Sequence, residues 1–500
     1  MNLSELLIQA KINHAPTSNP EITGIALDSR LVKPGFIFVA TSGIPLAGRA
    51  PLDGHDFIQK ALEHGAVAVV GSQTLELGVP YIQVPNPRET CALLAKEIWG
   101  RPDEKMKIIG ITGSKGKSTT VALVYHLLES AGLKVAQMST VAVRFAGHEE
   151  HLPGHFTTPE SPQVYELLSR FLEAGCTHVV MEISSHALDL ERVTGIAFEI
   201  GALINFYPDD HLDFHGSEAA YFAAKAKLPT RSRVAVIEKS LLPQFWSEFA
   251  AIRAKTKLEY PKIIAFGDEF NWQPIKLTET AFGIEFTLKN GFEEYELFLP
   301  MIGGFNTSNA ACAYTIGDYL GLTETQLEQG LRTFAGVPGR MQILQAEPFR
   351  VINDFAHTGA SLEVAATTLQ QTTTGKLILV IGAAGQRDPN RRTGIGTTAA
   401  KTVDHVIFTE EDSRTEDTNL ILESLKTAFL AAGGSSYELI PDRREAIQAA
   451  IEMAKAGDTV LLAGKGHERT LERGAAILPW DENAEARAVI EGQKVKRSKG

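Results

Sequence analysis

The chain has 500 residues, a hydrophobic content of 44% and a formal net charge of −12 at pH 7. Its acidic balance excludes a general nucleic-acid binder, and three scattered cysteines are too few for a disulfide framework or a zinc site. Because no apolar run reaches the roughly 18 residues of a membrane span and no targeting segment is evident, we expect a cytoplasmic protein without membrane insertion.

The length predicts three domains of about 100 to 200 residues each. The first, over residues 1–104, alternates short apolar runs with helical patterns and is predicted to be a small α/β unit. Two polar clusters, Asp28-Ser29-Arg30 and Asp53-Gly54-His55, lie between its strands, where binding groups often sit. They are also ordinary turn chemistry. A polar stretch with Gly and Pro, 99–105, marks the first boundary.

The second predicted domain, 105–337, opens with a strand, a glycine loop and a helix. The strand is the apolar run 107–111, the helix covers 121–128, and the loop between them contains Gly113-Ser114-Lys115-Gly116-Lys117-Ser118-Thr119. Such a loop turns backbone N–H groups and a helix N-terminus toward a phosphate chain, while a lysine adds charge and a hydroxyl can bind Mg²⁺. The pattern predicts a nucleotide-phosphate cradle; the alternative is a glycine turn that merely precedes a helix.

Further along this domain, polar residues again follow buried strands. The strand predicted over 178–183 carries Glu182 at its end, the strand over 199–204 leads to Asn205, and a helix over 218–228 holds Lys225. An Asn-Gly pair between apolar runs predicts a hairpin at Asn290.

In the third predicted domain, 338–500, five strands alternate with helices, which predicts a mostly parallel, doubly wound sheet. Ligands of such sheets sit beyond the carboxyl ends of the strands. Polar loops follow four of these strands, at 354–357, 385–388, 410–414 and 464–468. We therefore expect the four loops to converge on one edge.

Eight stretches, in this order along nearly the whole chain, resemble the Mur ligases and within them most resemble the MurE branch, the UDP-N-acetylmuramoyl-tripeptide synthetases. These are Asp28-Ser29-Arg30, the cradle 113–120, Thr157-Thr158-Pro159, the stretches 181–188 and 211–216, Gly339-Arg340, 354–357 and 464–468. The resemblance implies a UDP-binding N-terminal domain, a central P-loop ATPase and a Rossmann-like C-terminal domain that receives an amino acid.

The resemblance also implies a reaction. A third amino acid is joined to the D-Glu carboxylate of UDP-MurNAc-L-Ala-D-Glu in peptidoglycan precursor synthesis, while ATP becomes ADP and phosphate. A carboxylate cannot be aminated directly, because its negative charge repels the amine and oxide is a poor leaving group. Conversion to an acyl phosphate removes both obstacles. The protein then mainly positions the reactants and neutralises charge. We expect a monomer whose partners are the nucleotide peptide, ATP, Mg²⁺ and a free amino acid.

Roles of individual residues follow from the same resemblance. The catalytic set would be Lys117, Glu182, His211, Lys225 and Arg340. ATP would contact Gly113, Ser114, Lys115, Gly116, Lys117, Ser118, Thr119, Asn309, Arg340, Asp354 and His357. One Mg²⁺ would bind Ser118 and Glu182, and a second Glu182, His211 and Lys225, the lysine carrying a carbamate (N6-carboxylysine). The UDP-sugar would contact Leu27, Ser29, Thr157, Thr158, Ser184 and Arg192. The amino acid would contact Arg387, Glu411, Asp412, Arg414, Gly464 and Glu468.

Three departures from the family pattern stand out. The segment 205–211 is one residue longer than usual. The loop after Ala356 reads His357-Thr358-Gly359 where a proline usually follows, and the glycine is expected to loosen this turn. Enzymes that add meso-diaminopimelate typically carry Asp-Asn-Pro-Arg where this chain has Glu411-Asp412-Ser413-Arg414.

The third departure bears on specificity. Arg414 is kept, whereas an Asn that could donate to a second carboxylate is replaced by Asp412 beside two more acids. Charge complementarity then favours a side chain that ends in a lone ammonium, as in L-ornithine or L-lysine. Alternatively the acids are a solvated strand end and the amino acid is meso-diaminopimelate.

Two other functions stay open from the sequence. A folylpolyglutamate-type ligase shares the cradle, but the Asp28-Ser29-Arg30 domain argues against it. A ligase-like protein that binds nucleotide without catalysis would not need Lys117, Glu182, His211 and Lys225 together.

Overall fold

The structure is a computed structural model that describes residues 1–43, 52–152, 157–208, 212–254, 259–267, 271–280, 282–387 and 390–498. His211, predicted to bind Mg²⁺, lies outside the described residues. The chain forms two compact units, which are described separately. Unit 1 comprises Met1–Gln273 and Ala311–Leu327, and unit 2 comprises Pro274–Ala310 and Glu328–Gly500.

Unit 1 begins with a four-stranded parallel sheet, in the order β1-β2-β3-β4, flanked by helices. Its elements are α1 Leu3–Gln9, β1 Gly24–Ala26, β2 Phe36–Val39, α2 Ile58–Glu63, β3 Ala66–Gly71, β4 Tyr81–Gln83 and α3 Pro87–Ile98. Asp28 and Asp53 each accept a hydrogen bond from the backbone N–H two residues later and so begin short 3₁₀ helices. This accounts for both polar clusters of the predicted domain as turn chemistry.

The rest of unit 1 is built on an eight-stranded sheet in the order β12-β11-β10-β5-β9-β6-β7-β8, parallel except at its last two pairs. Its elements are β5 Lys107–Thr112, α4 Lys117–Ser130, β6 Val135–Met138, β7 Val143–Phe145, β8 His148–Glu150, α5 Ser161–Glu173, β9 His178–Glu182, α6 Ser185–Asp189, β10 Phe198–Leu203, α7 Leu212–His215, α8 Glu218–Thr230, β11 Val234–Glu238, α9 Leu242–Arg253 and β12 Lys262–Phe266.

One hydrophobic core serves both parts of unit 1. Leu6, Ile37 and Cys91 from the first part belong to the same buried cluster as Ile108 and Val179 of the large sheet. The connection between the parts is anchored by Asp103, whose Oδ2 accepts hydrogen bonds from Lys96 Nζ at 2.8 Å and from the Ala197 amide at 3.0 Å. The two parts are therefore packed as one body.

Unit 2 contains a small sheet in the order β13-β14-β15 and a six-stranded sheet in the order β16-β17-β21-β18-β19-β20. Only β16 runs antiparallel in the larger sheet, as expected of a Rossmann-like domain with one added edge strand. The elements from here on, with α10 and α11 crossing between the units, are β13 Gln273–Glu279, β14 Ile284–Asn290, β15 Glu293–Leu299, α10 Asn306–Tyr319, α11 Glu324–Arg332, β16 Gln342–Gln345, β17 Arg350–Asp354, α12 Gly359–Gln370, β18 Leu377–Ile381, α13 Asn390–Thr402, β19 His405–Phe408, α14 Thr418–Ala431, β20 Tyr437–Leu439, α15 Arg443–Met453, β21 Thr459–Ala463, β22 Thr470–Arg473, β23 Ala476–Pro479 and α16 Glu482–Ser498.

The expectation that Gly359 loosens its turn is wrong. Thr358 and Ser361 form a reciprocal capping box at the start of α12, and a Cβ on Gly359 would lie 2.7 Å from the Gly394 carbonyl oxygen. The glycine allows α12 and α13 to approach closely, so it is a packing requirement in a tightly capped turn.

The α/β fold class predicted from alternating strands and helices is confirmed. The parallel central strands are continuous apolar runs, as in β18, where every residue is buried. No helix within the described ranges has the length and apolar character needed to cross a bilayer.

Candidate active site

The predicted phosphate cradle lies at the first turn of the large sheet, between β5 and α4. Gly116 has φ 79° and directly precedes α4, whose first amides receive no side-chain cap within the described residues. A Cβ on Gly113 would lie 2.5 Å from Ile204, so this position also requires glycine. The loop therefore presents a helix N-terminus, with its partial positive charge, to any anion placed before it.

Asn205 fixes the shape of this loop. Its Oδ1 accepts hydrogen bonds from the Ser114 and Lys115 amides at 2.9 and 3.0 Å, and its Nδ2 donates to the Lys115 carbonyl at 2.9 Å. Because β10 pairs with β5 so that Leu203 lies opposite Thr112, Asn205 emerges beside the loop. Two of the amides expected to face ATP are thus engaged by a side chain. Asn205 is therefore a cradle residue, whereas the sequence predicts only that it follows a strand.

The Lys117 side chain folds back over the cradle. Its Nζ donates to the Gly113 and Ser114 carbonyl oxygens, both at 3.0 Å. An ammonium has three donors in rotatable positions, so Lys117 can turn toward a phosphate that occupies the loop.

A buried carboxylate, Glu182, stands next to the cradle. In the parallel pairing of β5 with β9 it lies opposite Ile111, which places it at the end of its strand. Its Oε2 accepts hydrogen bonds from Ser118 Oγ at 2.9 Å, Thr140 Oγ1 at 3.1 Å and the Thr140 amide at 3.2 Å. A carboxylate and two hydroxyls form an all-oxygen donor set that suits Mg²⁺. No cluster of three or more His, Cys, Asp and Glu suited to a metal occurs in the part of the chain that the structure describes.

Lys225 is buried beneath the same loop, with a side chain that extends from α8. Its Nζ donates to the Gly113 carbonyl at 2.7 Å and lies 4.4 Å from the centre of the Tyr221 ring. Tyr221 also contacts the cradle, with its hydroxyl 3.1 Å from Ser114 Oγ. The structure therefore brings Lys225 to the cradle predicted from sequence.

Three residues expected to contact the UDP-sugar meet near the end of β9. Thr158 Oγ1 donates to the Glu182 carbonyl at 2.9 Å and accepts from the Ser184 amide at 3.1 Å. The buried Arg192 donates to the Thr158 carbonyl at 2.9 Å and pairs with Glu160 at 2.8 Å. These contacts join the segment that carries Thr157 to the one that carries Ser184, with Thr158 and Arg192 as the supporting residues.

The other two residues expected at the UDP-sugar, Leu27 and Ser29, follow β1. Ser29 is buried and its carbonyl oxygen is 2.7 Å from His64 Nδ1. Leu27 is partly buried and packs against the shared core of unit 1.

In unit 2, the residues expected at the adenosine end of ATP gather around Phe355. The Arg340 guanidinium lies 4.8 Å from the centre of the Phe355 ring, and the His357 ring centre is 4.6 Å away. Asp354 accepts hydrogen bonds from the Met341 and Ala356 amides at 2.7 and 2.8 Å. Burial raises the pKa of Asp354, against the opposing influence of Arg340 and these amides. Burial lowers the pKa of His357, which favours the neutral form of its ring.

Asn309, also expected at ATP, lies in the first turns of α10. It is buried, and its Nδ2 donates to Asn306 Oδ1 at 2.9 Å.

The loops expected to receive the amino acid do converge at one edge of the six-stranded sheet. Lys465 Nζ is 2.9 Å from Asp412 Oδ1 and 2.6 Å from Glu468 Oε2. Burial alone would lower the pKa of Lys465, but the two carboxylates outweigh it and raise it. Arg414 pairs with Glu472 at 2.9 Å and donates to the Gly385 carbonyl at 3.0 Å, which ties the loop before the exposed Arg387 to the same cluster.

Glu411 lies at the centre of this cluster. Its side chain is buried, and within the described residues its Oε2 accepts no hydrogen bond. Gly464 has φ 104°, and a Cβ there would be 2.8 Å from that oxygen. Burial raises the pKa of Glu411 from 4.5 to about 7, while Arg443 and Lys465 oppose the rise. An unsatisfied buried carboxylate is a group that a cationic ligand would stabilise.

A glycine loop at the first turn of a parallel sheet, with a buried carboxylate beside it, is typical of α/β enzymes of the P-loop class, which bind nucleoside triphosphates. Domain families match along the chain. The Mur ligase family catalytic domain matches residues 21–99, the Mur ligase middle domain residues 111–317, and the Mur ligase glutamate ligase domain residues 339–466.

Whole-chain relatives agree with this. The chain is 42% identical to the UDP-N-acetylmuramyl-tripeptide synthetase of Deinococcus radiodurans, over 98% of this chain and 99% of the relative. It is 32% identical to the UDP-N-acetylmuramoyl-L-alanyl-D-glutamate–2,6-diaminopimelate ligase of Bacillus cereus, over 96% of each. A solved structure of a ligase of the latter name superposes with a TM-score of 0.66 at 29% identity, covering 95% of each chain.

The chain belongs to the Mur ligase family, as its sequence motifs predicted. It is therefore an ATP-dependent acid–amino-acid ligase of peptidoglycan synthesis that uses Mg²⁺. The cradle and the oxygen donors Ser118, Thr140 and Glu182 fit these two cofactors. When bound, Mg²⁺ would neutralise phosphate charge during transfer.

Proposed function

We propose that this ligase joins a basic diamino acid, L-ornithine or L-lysine, to the D-Glu carboxylate of UDP-MurNAc-L-Ala-D-Glu in the cytoplasm, and that it acts as a monomer. Addition of an amino acid to a UDP-MurNAc peptide follows from the family. The choice of amino acid is the proposed part. The observation that carries it is the buried Glu411 carboxylate, whose Oε2 accepts no hydrogen bond from any residue that the structure describes.

The charges around Glu411 support a cationic side chain. Glu410 is paired with Arg473 and Arg414 with Glu472. Asp412 and Glu468 share the single ammonium of Lys465. The cluster thus holds more carboxylate than cationic charge, even before Glu411 is counted.

A basic diamino acid would offset this excess of negative charge. It brings two ammonium groups and one carboxylate, so one ammonium is left to face Glu411 after the α-carboxylate is held by arginine. Meso-diaminopimelate brings a second carboxylate to the same place, where repulsion from Glu411 and Asp412 would disfavour it.

The site residues are proposed to act in the roles that the family pattern gives them. Lys117 and Arg340 would hold the β- and γ-phosphates. Ser118 and Glu182 would bind one Mg²⁺, and Glu182, His211 and carbamylated Lys225 the second. The protein's contribution is to align the D-Glu carboxylate with the phosphate and then the amine with the acyl phosphate.

The test is ATP-dependent phosphate release with UDP-MurNAc-L-Ala-D-Glu and L-ornithine, L-lysine or meso-diaminopimelate in parallel. We expect kcat/KM with one basic diamino acid to exceed that with meso-diaminopimelate by about tenfold or more. A preference for meso-diaminopimelate would refute the specificity. Silence with all three, in a protein that still binds ATP, would refute the proposed acceptor and favour another amino acid or a non-catalytic nucleotide-binding protein.

A further inference from the structure

A buried arginine lies directly behind the acceptor loops. Arg443 is fully buried at the first position of α15, next to the N-cap Asp442. Neither the predicted mechanism nor the predicted amino-acid contacts use it.

The Arg443 guanidinium connects the ends of two strands that are not neighbours. Nη1 donates to the Glu410 carbonyl at 3.2 Å, just after β19, and Nη2 donates to the Ala463 carbonyl at 2.8 Å, the last residue of β21. In the sheet order, β18 lies between these two strands. Arg443 therefore spans the end of β18.

The two carbonyls belong to residues that immediately precede Glu411 and Gly464. These are the residues whose close approach defines the centre of the acceptor cluster, since a Cβ on Gly464 would meet the Glu411 carboxylate at 2.8 Å. The Arg443 amide adds a hydrogen bond of 3.2 Å to Glu410 Oε1. Arg443 thus holds the backbone next to Glu411 and the backbone next to Gly464.

The positive charge is balanced from the C-terminal helix. The Glu482 carboxylate accepts hydrogen bonds from Arg443 Nη2 at 2.6 Å and Nε at 2.9 Å. It also accepts one from Trp480 Nε1 at 2.8 Å. Both partners of the ion pair are buried. The free-energy cost of removing both charges from water offsets much of their mutual attraction. A contribution to folding stability is therefore a weak explanation for this buried ion pair.

We propose that Arg443, held by Glu482, is a positioning residue that sets the separation of Glu411 and Gly464 and thereby the affinity for the acceptor amino acid. This inference rests on the proposed function, because it takes Glu411 to be the contact of the acceptor side chain.

The decisive variant replaces both charges with apolar side chains of similar size, Arg443→Met with Glu482→Leu, so that neither member of the ion pair is left buried without its partner. We expect a folded protein in which KM for the amino acid rises about tenfold, while kcat and the KM values for ATP and the UDP-peptide stay within about twofold. Arg443→Lys, which keeps the charge and one donor toward the carbonyls, should recover part of the loss.

The matched control is Arg444→Met. Arg444 is the next residue of α15 and forms an exposed ion pair with Glu485, so its loss should leave all three KM values unchanged.

An unchanged acceptor KM in the folded double variant overturns the inference, and so does a uniform change of all three KM values. If the double variant does not fold, Arg443→Lys decides alone, with an acceptor KM raised about threefold expected and an unchanged value contradicting the inference. Failure of the wild-type protein to turn over any acceptor refutes the proposed function, and with it this inference, before any variant is compared.

Discussion

Ser118 Oγ donates a hydrogen bond of 2.9 Å to Glu182 Oε2, which joins the first turn of α4 to the end of β9. These two residues are neighbours because β5 and β9 pair in parallel, so that the loop after one strand meets the last residue of the other. A hydroxyl and a carboxylate at the edge of a phosphate cradle are the oxygen donors that Mg²⁺–ATP requires.

Glu182→Gln should therefore reduce kcat by about 10² or more and raise the Mg²⁺ concentration needed for half-maximal activity. The amide keeps the shape but loses the charge. Phosphate release against Mg²⁺ concentration is the measurement, with Glu149→Gln as the matched control, because Glu149 is exposed and pairs with Arg144. An unaltered Mg²⁺ curve in the Glu182 variant would remove this residue from the metal site.

Lys225→Ala should abolish most activity, and added bicarbonate should not restore it, because the variant has no amine to carry a carbamate. Lys225→Arg should be equally inactive for the same reason. The control is Lys227→Ala on the same helix, whose Nζ is 2.5 Å from Asp189 Oδ1. A ¹³C carbonyl signal from labelled bicarbonate should appear in the wild-type protein and not in Lys225→Ala. Full activity of either Lys225 variant would end the carbamate hypothesis.

Acceptor binding should depend on pH through Glu411. Burial raises its pKa to about 7, so the carboxyl of the free protein is mainly protonated below that pH and ionised above it. A cationic side chain needs the ionised form, and KM for the amino acid should fall about tenfold from pH 6 to pH 8. In Glu411→Gln this dependence should disappear. A KM profile of the same shape in both proteins would show that another group titrates.

The same shift predicts a stability difference with a definite sign. The folded-state pKa of Glu411 lies above the unfolded value of 4.5, so the folded wild-type protein loses stability as pH rises from 4.5 through 7. Glu411→Gln lacks this loss. Its free energy of unfolding relative to wild type should increase by roughly 3 kcal/mol between pH 4 and pH 8. Denaturant unfolding at the two pH values measures it, and a pH-independent difference would contradict the raised pKa.

Asn205→Ala should loosen the cradle, because it removes hydrogen bonds to the Ser114 and Lys115 amides and the Lys115 carbonyl. We expect a loss of about 1–3 kcal/mol in unfolding free energy and a KM for ATP raised about tenfold, with the amino-acid KM unchanged. If ATP binding is unaffected, the shape of the loop does not depend on Asn205.

Much of the fold could be predicted from the sequence because its buried parallel strands are continuous apolar runs. The predicted strand 459–463 coincides with β21, and the predicted helix 218–228 falls within α8. The predicted helix 121–128 is too short, since α4 begins at Lys117, inside the glycine loop. The cradle and the ends of the strands could be predicted from the local sequence pattern, because both depend on residues that are adjacent in the chain.

The partners of those residues could not be predicted in the same way. Asn205 meets Ser114 across 91 residues, and Arg443 meets Glu482 across 39. Lys465 lies between two predicted contacts, Gly464 and Glu468, but nothing in the sequence pattern distinguishes it. It pairs with Asp412, while Glu411 Oε2 accepts no hydrogen bond within the described residues. Such pairings depend on sheet order and strand register, which composition and periodicity do not determine.

The single core of unit 1 means that the residues after β1 and the phosphate cradle are parts of one cooperative folding block. A UDP-sugar held by the first sheet and ATP held by the second would each protect the whole block against heat and protease. The first hundred residues, expressed alone, would expose the apolar face that now covers Ile108 and Val179, and we expect that fragment to aggregate.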